Sequence, residues 1–271
     1  MIRRAGGNLR LLKSGAPEAS AQLERDGFTI VPGVLDAAEV AALKTEIAAH
    51  FDESPPRPND KNGEFRHGML NVSPLSQAAV GAPGLLDVIE PLLGEDCHVI
   101  ANTAWRNVPG HQGGPWHVDA GPHVPRDEGV EWPAAIPYPV FAIGVHLFLQ
   151  DCPLEAGPTA VVPGSHRSGR LPPFDKINAE TLAYLGRESV LLPAKAGDAA
   201  MFVSDAWHRG TPAQAGLGRF FLQVHYGRRD IAQRIRFTSE VNHLSDAAVA
   251  RAQAPRDRTL IGLHAAYFYD N

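Results

Sequence analysis

Twelve histidines stand among 271 residues, and the spacing His-x-Asp occurs twice, at His50-x-Asp52 and His117-x-Asp119. An imidazole and a carboxylate two residues apart can grip one ion only if both side chains leave the same face of the chain. Random placement of the twelve histidines and sixteen aspartates yields about 0.7 such triplets, so composition does not choose between them. Backbone geometry does. On a strand, residues i and i+2 share a face, whereas on a helix they point about 200° apart. His50 and Asp52 close an amphipathic helical pattern, which makes their pairing incidental. Trp116-His117-Val118-Asp119 is a short extended run after Gly113-Gly114-Pro115, and that second pair can chelate.

A third ligand has to come from a strand distant in sequence. The best candidate is His208, at the end of an apolar run that a Gly197-Asp198 turn feeds. Two imidazoles and one carboxylate form a facial set that leaves coordination positions open. Such a set suits Fe(II) oxygen chemistry, because the open positions can take a bidentate oxoacid and then O2. A hydrogen-bonded core histidine is the competing reading of His208. A dicarboxylate bound through its oxoacid end would bury a second carboxylate, which needs a guanidinium partner. Arg219 meets that need: it lies eleven residues after His208, beyond a Gly210/Pro212/Gly216 loop and amid apolar Leu217, Phe220, Phe221 and Leu222. A salt bridge to a protein acid is the alternative task for this arginine.

The surrounding elements are readable from periodicity. Asp26-Gly27-Phe28-Thr29-Ile30-Val31 is a strand closed by Pro32-Gly33. Asp36 and Glu39 form a capping box, and Val40, Leu43, Ile47 and Phe51 follow at helical spacing, predicting a helix over 37–51. Residues 53–66 read as a loop, and 83–93 as a second helix. Short β-like runs then appear at 97–107, 115–120, 139–150, 158–163, 189–193, 199–203 and 219–226. Their Gly/Pro/Asp punctuation predicts a jelly-roll or cupin-like barrel. Two long irregular stretches, 121–139 and 165–188, have lengths typical of functional loops. A helix over 244–254 and the aromatic tail Tyr267, Phe268 and Tyr269 end the chain.

The bulk composition excludes several classes. A formal charge of −5 offers no basic field for nucleic acid or anionic membrane. No apolar run of about 18 residues occurs, so no membrane-spanning helix is expected. Arg3, Arg4, Arg10 and Lys13 precede the first acid, Glu18, but without the apolar stretch of a secretory signal; a cytoplasmic protein is expected. Cys97 and Cys152 are read as reduced, buried thiols. The expected organisation is one domain over 1–271: an N-terminal strand and helical support over 20–95, a jelly-roll catalytic core over 96–230 and a C-terminal extension over 231–271.

Four features resemble the phytanoyl-CoA dioxygenase family of 2-oxoglutarate oxygenases: Asp26-Gly27-Phe28 with Pro32-Gly33-Val34-Leu35; Trp116-His117-x-Asp119; Gly157-Pro158-Thr159 running to Pro163-Gly164-Ser165-His166; and His208 with Arg219. The resemblance spans roughly residues 20–230. It implies a mainly β chain with flanking α: a double-stranded β-helix core with helices packed outside. It further implies that His117, Asp119 and His208 hold Fe(II), that Arg219 meets the distal carboxylate of 2-oxoglutarate, and that the Thr159 hydroxyl assists. The family's glutamine before the His-x-Asp unit is not in place, since Gln112 comes too early and Gly114 occupies its position; Asn102 is the substitute considered. The presence of Asp119 disfavours halogenation.

The implied reaction consumes O2 and 2-oxoglutarate, releases succinate and CO2, and hydroxylates an unactivated C–H bond. Desaturation, epoxidation and rearrangement are open to the same site. The expected partner is a small or medium-sized polar metabolite; no basic cluster fits a coenzyme A nucleotide, and Tyr269-Asp270-Asn271 matches no peroxisomal signal. Trp116 and Trp207 are read as core packing rather than metal shields, and His111, Trp105, His146 and His225 as core or surface residues rather than pocket lining. A non-oxidative cupin-type metalloenzyme and a non-catalytic jelly-roll binding protein are the rival readings.

Overall fold

A computed structural model describes residues 15–53, 64–119, 121–233 and 244–265. Local chemistry sets the first elements. Helix α1 (Glu18–Asp26) ends at Gly27, whose φ of 84° supplies the left-handed turn into strand β1 (Phe28–Val31). The capping box at Asp36 and Glu39 is present and opens α2 (Ala37–Asp52), which buries Val40, Leu43, Ile47 and Phe51. His50 and Asp52 lie on that helix, as their spacing required. Strand β2 (Glu64–His67), short helices α3 (Met69–Val72) and α4 (Pro74–Ala79), and α5 (Pro83–Leu93) complete the N-terminal support.

The remaining strands are β3 (His98–Asn107), β4 (Ala142–Phe148), β5 (Thr159–Val161), β6 (Ala183–Tyr184), β7 (Arg187–Glu188), β8 (Val190–Leu192), β9 (Ala199–Val203), β10 (His208–Gly210) and β11 (Arg219–Gly227), with α6 (Asp246–Arg251) and α7 (Pro255–Leu260) after them. A six-stranded sheet runs β1-β9-β4-β11-β3-β2, and a three-stranded sheet runs β10-β5-β8. Every pairing in the two sheets is antiparallel. The large sheet turns Val145, Leu147, Met201, Leu222 and Val224 toward Leu43, Ile47, Leu85 and Ile89 of the helices in one apolar cluster. Its opposite face sends Phe148, Ala200 and Phe221 against Val161 and Leu192 of the small sheet in a second cluster. Two facing antiparallel sheets with helices on one outer side make the double-stranded β-helix expected from the strand pattern.

Four differences from the sequence reading have physical causes. Helix α1 is missed because its buried positions include Ser20 and Glu24 beside Leu23, which gives little apolar periodicity. Of the strand expected over 115–120, the described residues 115–119 form none; His117 makes one isolated bridge, to His208. His208 does not end the preceding strand: β9 stops at Val203, a turn follows, and His208 opens β10 in the other sheet. The helix expected over 244–254 is shorter, Asp246–Arg251, and a second, unexpected helix starts just beyond that span at Pro255. The basic N-terminal residues, most of the 53–66 loop and Tyr267, Phe268 and Tyr269 lie outside the described residues. Among the described residues no helix is long and apolar enough to cross a membrane.

Candidate metal centre

Backbone hydrogen bonds bring the distant ligand candidates together. The His117 N–H donates to the His208 carbonyl at 2.9 Å, the His208 N–H returns a bond to His117 at 3.0 Å, and the Asp119 N–H donates to Ser204 at 3.1 Å. Gly113 allows this approach: its φ is +70°, and a Cβ there would lie 2.3 Å from the Gly210 carbonyl oxygen. The side chains are then oriented by their own backbone. His117 Nδ1–H donates to the Pro115 carbonyl and His208 Nδ1–H to the Ala206 carbonyl, each at 2.9 Å. Both Nε2 atoms are left as lone-pair donors. Asp119 Oδ1 stands 3.5 Å from His208 Nε2 and 4.0 Å from His117 Nε2. One ligand atom from each residue lies within 4.8 Å of the others. Donors held about 2.1 Å from an ion stand roughly 3 Å apart, so the triad needs little contraction to grip one.

The protonation states of Asp119 and His117 favour metal binding. Burial alone would raise the Asp119 carboxyl, but the adjacent His225, His208 and His117 hold it far below the usual carboxylate range. Burial, helped by nearby His208, lowers His117 below an ordinary imidazole. His208 is raised by Asp119 against its own burial, as expected of an imidazole beside a carboxylate with nothing between. Asp119 Oδ2 is buried and accepts no hydrogen bond.

Along the barrel from the triad lies Arg219, 6% exposed. Its Nε donates to Asn107 Oδ1 at 3.1 Å, and its guanidinium sits 5.4 Å from the Phe221 ring centre. Among the described residues no carboxylate forms a salt bridge with it. Burial lowers its pKa to about 10. Gly210 makes room, since a Cβ there would meet Arg219 Nη2 at 2.7 Å. Thr159 pairs with Gly210 across the small sheet and its Oγ1 lies 3.0 Å from His146 Nδ1. His146 is shifted well below an ordinary imidazole by burial, then by Arg219 and His208, and its ring packs on Phe202 and Phe221.

Asn102 is not brought to this site. It is in register with Val224, on the helix-facing side, and its amide donates to the Gln223 carbonyl at 3.1 Å. Alternation is the reason: Thr103, Trp105 and Asn107 take the inward positions of β3 opposite Gln223, Phe221 and Arg219. Gln112 donates to the Gly110 carbonyl in an exposed loop. Trp116 and Trp207 pack with Ala160, Val162, Leu182 and Tyr184 in a separate cluster, in keeping with their core reading. The two long irregular stretches bind each other and the strand ends, through Arg126 N–H to the Gly169 carbonyl at 3.1 Å and Arg170 to Glu131 at 3.0 Å. His123 Nδ1 and Tyr138 Oη meet buried Asp205 at 2.5 and 2.8 Å, pinning the chain that follows Asp119.

His146 and His225 are buried, in keeping with their core reading, and His225 stands beside Asp119. His225 Nε2 is 3.3 Å from Asp119 Oδ2. Gly144 makes the space, its Cβ position lying 2.8 Å from the Phe202 ring and 3.3 Å from His225 Nε2. A signal for His225 was available: once Arg219 faces inward on a strand, Phe221, Gln223 and His225 follow at steps of two.

The family model described as phytanoyl-CoA dioxygenase (PhyH) matches residues 23–219. No curated protein matches the sequence. Solved structures similar to the chain include the non-heme alpha-ketoglutarate-dependent epimerase SnoN from nogalamycin biosynthesis, with TM-score 0.62, 21% identity, 82% of this chain and 87% of that one covered. The alpha-ketoglutarate-dependent carbocyclase SnoK of the same biosynthesis gives TM-score 0.60 and 16% identity, over 86% and 92% of the two chains. HygX from Streptomyces hygroscopicus, solved with nickel, 2-oxoglutarate and hygromycin B, gives TM-score 0.62 and 14% identity, over 78% and 87%. At these identities the likeness establishes a common fold.

Proposed function

The chain belongs to the phytanoyl-CoA dioxygenase family, and from that premise we propose that it is an Fe(II)- and 2-oxoglutarate-dependent dioxygenase that hydroxylates an unactivated C–H bond of a small or medium-sized metabolite. The observation that carries this reading is the pairing of an ion-ready triad with a buried guanidinium that forms no salt bridge among the described residues. Fit to the absent groups can be judged from the donor atoms. Two imidazole Nε2 atoms and an ionised carboxylate match a facial Fe(II) set. Arg219 is a buried cation awaiting an anion.

In this reading His117, Asp119 and His208 hold the metal, and Arg219 with Thr159 holds the far carboxylate of 2-oxoglutarate. Bound iron and 2-oxoglutarate together supply O2 activation, with succinate and CO2 as co-products. The protein's part is placement and dryness. Pro115 and Ala206 carbonyls fix the two imidazoles, Asn107 holds Arg219 by Nε so that its outer nitrogens stay available, and Phe148, Phe202 and Phe221 exclude water. His117 leaves the site reachable, with 47% of its side chain exposed.

The similar epimerase and carbocyclase make the product the informative readout. Purified protein with Fe(II), ascorbate and 2-oxoglutarate is incubated with a metabolite panel, and succinate and product mass are followed. A gain of one oxygen supports hydroxylation. Loss of two hydrogens, or an isomer of unchanged mass formed with succinate, replaces hydroxylation by ring closure or epimerisation. No succinate above the metal-free control with any metabolite overturns the reading.

A further inference from the structure

Strand alternation lays the inward side chains of the large sheet out in rows. Phe65, Trp105, Phe221 and Phe148 form one row across β2, β3, β11 and β4, and His67, Thr103, Gln223 and His146 form the next. Cover differs along each row. Phe148 and His146 are buried, Phe148 against Val161 and Leu192 of the small sheet and His146 against Thr159. Phe65, Trp105 and Gln223 are only half-buried and His67 is exposed, so the β2–β3 wing is the accessible end of the inner face. That end leads to the metal triad. Trp105 Nε1–H donates to Gln223 Oε1 at 2.7 Å, Gln223 Nε2 lies 3.0 Å from His225 Nε2, and His225 Nε2 lies 3.3 Å from Asp119 Oδ2.

The wing is aromatic and carries no fixed charge. Trp105 tilts against Phe65 at 5.1 Å and lies parallel to Phe221 at 6.2 Å. The arginines of β2 and β3 point the other way: Arg66 and Arg106 lie 4.9 and 4.8 Å from the ring centre of Phe51 in the helix-side cluster, and Arg106 pairs with Asp52. Among the described residues, the inward positions of β2, β3 and β11 beyond Arg219 hold no Asp, Glu, Lys or Arg. A charged group brought there would lose water without meeting an opposite charge, whereas a ring would gain aromatic contacts. We propose that the β2–β3 wing is a substrate-binding wall that takes an uncharged aromatic ring against Phe65 and Trp105. His67 and Thr103, joined by a 2.9 Å contact between Nδ1 and Oγ1, stand beside it for polar substituents of that ring. This deepens the oxygenase reading and rests on it: the substrate is an uncharged aromatic metabolite whose oxidised C–H bond lies past Gln223, toward the triad.

The test uses the full chain loaded with Mn(II) and 2-oxoglutarate, because paramagnetic Mn(II) speeds the NMR relaxation of any probe proton held near the triad. The probes are 2-naphthylmethanol, its ring-saturated counterpart and 2-naphthalenesulfonate. The naphthyl alcohol is expected to show the fast relaxation and to bind at least about fivefold tighter than the saturated alcohol, as two aromatic contacts allow. It should also bind at least about tenfold tighter than the sulfonate, whose charge meets no partner on the wall. Replacing both rings, Phe65→Leu with Trp105→Leu, should bring the aromatic preference below about twofold while Mn(II) and 2-oxoglutarate affinities stay within about twofold of wild type. Phe65→Leu alone, on the edge strand β2, should lower the preference, and Trp105→Phe, which keeps a ring in the row, should retain it. If Mn(II) binds but the naphthyl alcohol relaxes no faster than in free solution, the three probes bind alike, or the leucine variants keep the preference, this inference falls alone. If Mn(II) does not bind the folded wild-type chain, the metal-site reading falls with it.

Discussion

Replacing Arg219 by Met separates a co-substrate anchor from a structural arginine, because the two roles give effects of opposite sign. Burial lowers the guanidinium well below its ordinary value, to about 10, so the folded chain binds that proton less tightly than the unfolded chain does. The deficit corresponds to roughly 3 kcal/mol; it is fully present below pH 10 and disappears as pH rises past the unfolded value. The bond to Asn107 and the Phe221 face offset about 1 kcal/mol of it. Met keeps much of the apolar stem, so the metal-free variant should be as stable as wild type or up to about 2 kcal/mol more stable in urea unfolding. Co-substrate binding should move the other way. A desolvated carboxylate deprived of its guanidinium loses about 3–5 kcal/mol, or roughly 100- to 5,000-fold in affinity, read by calorimetry of 2-oxoglutarate with the Zn(II)-loaded protein. A metal-free variant destabilised by more than about 1 kcal/mol, with unchanged 2-oxoglutarate affinity, would show that the arginine serves the fold alone and would refute the reasoning.

Gly113→Ala forces a positive φ on an L side chain and a Cβ against the Gly210 carbonyl; a stability loss of at least about 2 kcal/mol and weaker Zn(II) binding are expected, since the His117–His208 bridge must open. Asn102→Ala should cost about 1–2 kcal/mol of stability through the lost Gln223 bond while changing 2-oxoglutarate affinity less than about twofold; a large affinity loss would put Asn102 back at the site. His166, fully buried with Nε2–H donating to Glu24, is pushed down to about 4 by burial. A histidine lowered in the fold withholds stability as pH falls from its unfolded value near 6.5 toward 4, so between pH 7.5 and 5 it should account for about 2 kcal/mol of lost stability. Urea midpoints at the two pH values should show that loss reduced in His166→Gln, and an undiminished loss would contradict it.

The parts of the molecule legible in the sequence are those where local chemistry and long-range structure agree. Asp36 and Glu39 cap α2 whatever the rest of the chain does, and the i, i+2 argument that separated His117 and Asp119 from His50 and Asp52 needs only local backbone geometry. His117 and Asp119 nonetheless sit on no regular strand; two backbone bonds to His208 and one to Ser204 give the extended geometry that residues 115–119 cannot hold alone. Arg219 was legible because an arginine amid Phe220, Phe221 and Leu222 has few apolar excuses. Asn102 failed because sequence does not reveal which face of β3 looks inward; that phase comes from pairing with β11, where Arg219 aligns with Asn107 and Val224 with Asn102. The place of His225 beside Asp119 was not legible for the converse reason, since it rests on a residue about a hundred positions earlier in the chain and adjacent only in the fold.

The central claim is that His117, Asp119 and His208 bind Fe(II) and leave room for 2-oxoglutarate reaching to Arg219. Anaerobic addition of Fe(II) and then 2-oxoglutarate to the wild-type protein, followed by absorption spectroscopy, should produce a weak visible metal-to-ligand charge-transfer band that His208→Ala abolishes. A folded wild-type chain that shows no band under these conditions, or a band of equal intensity in His208→Ala, contradicts the account.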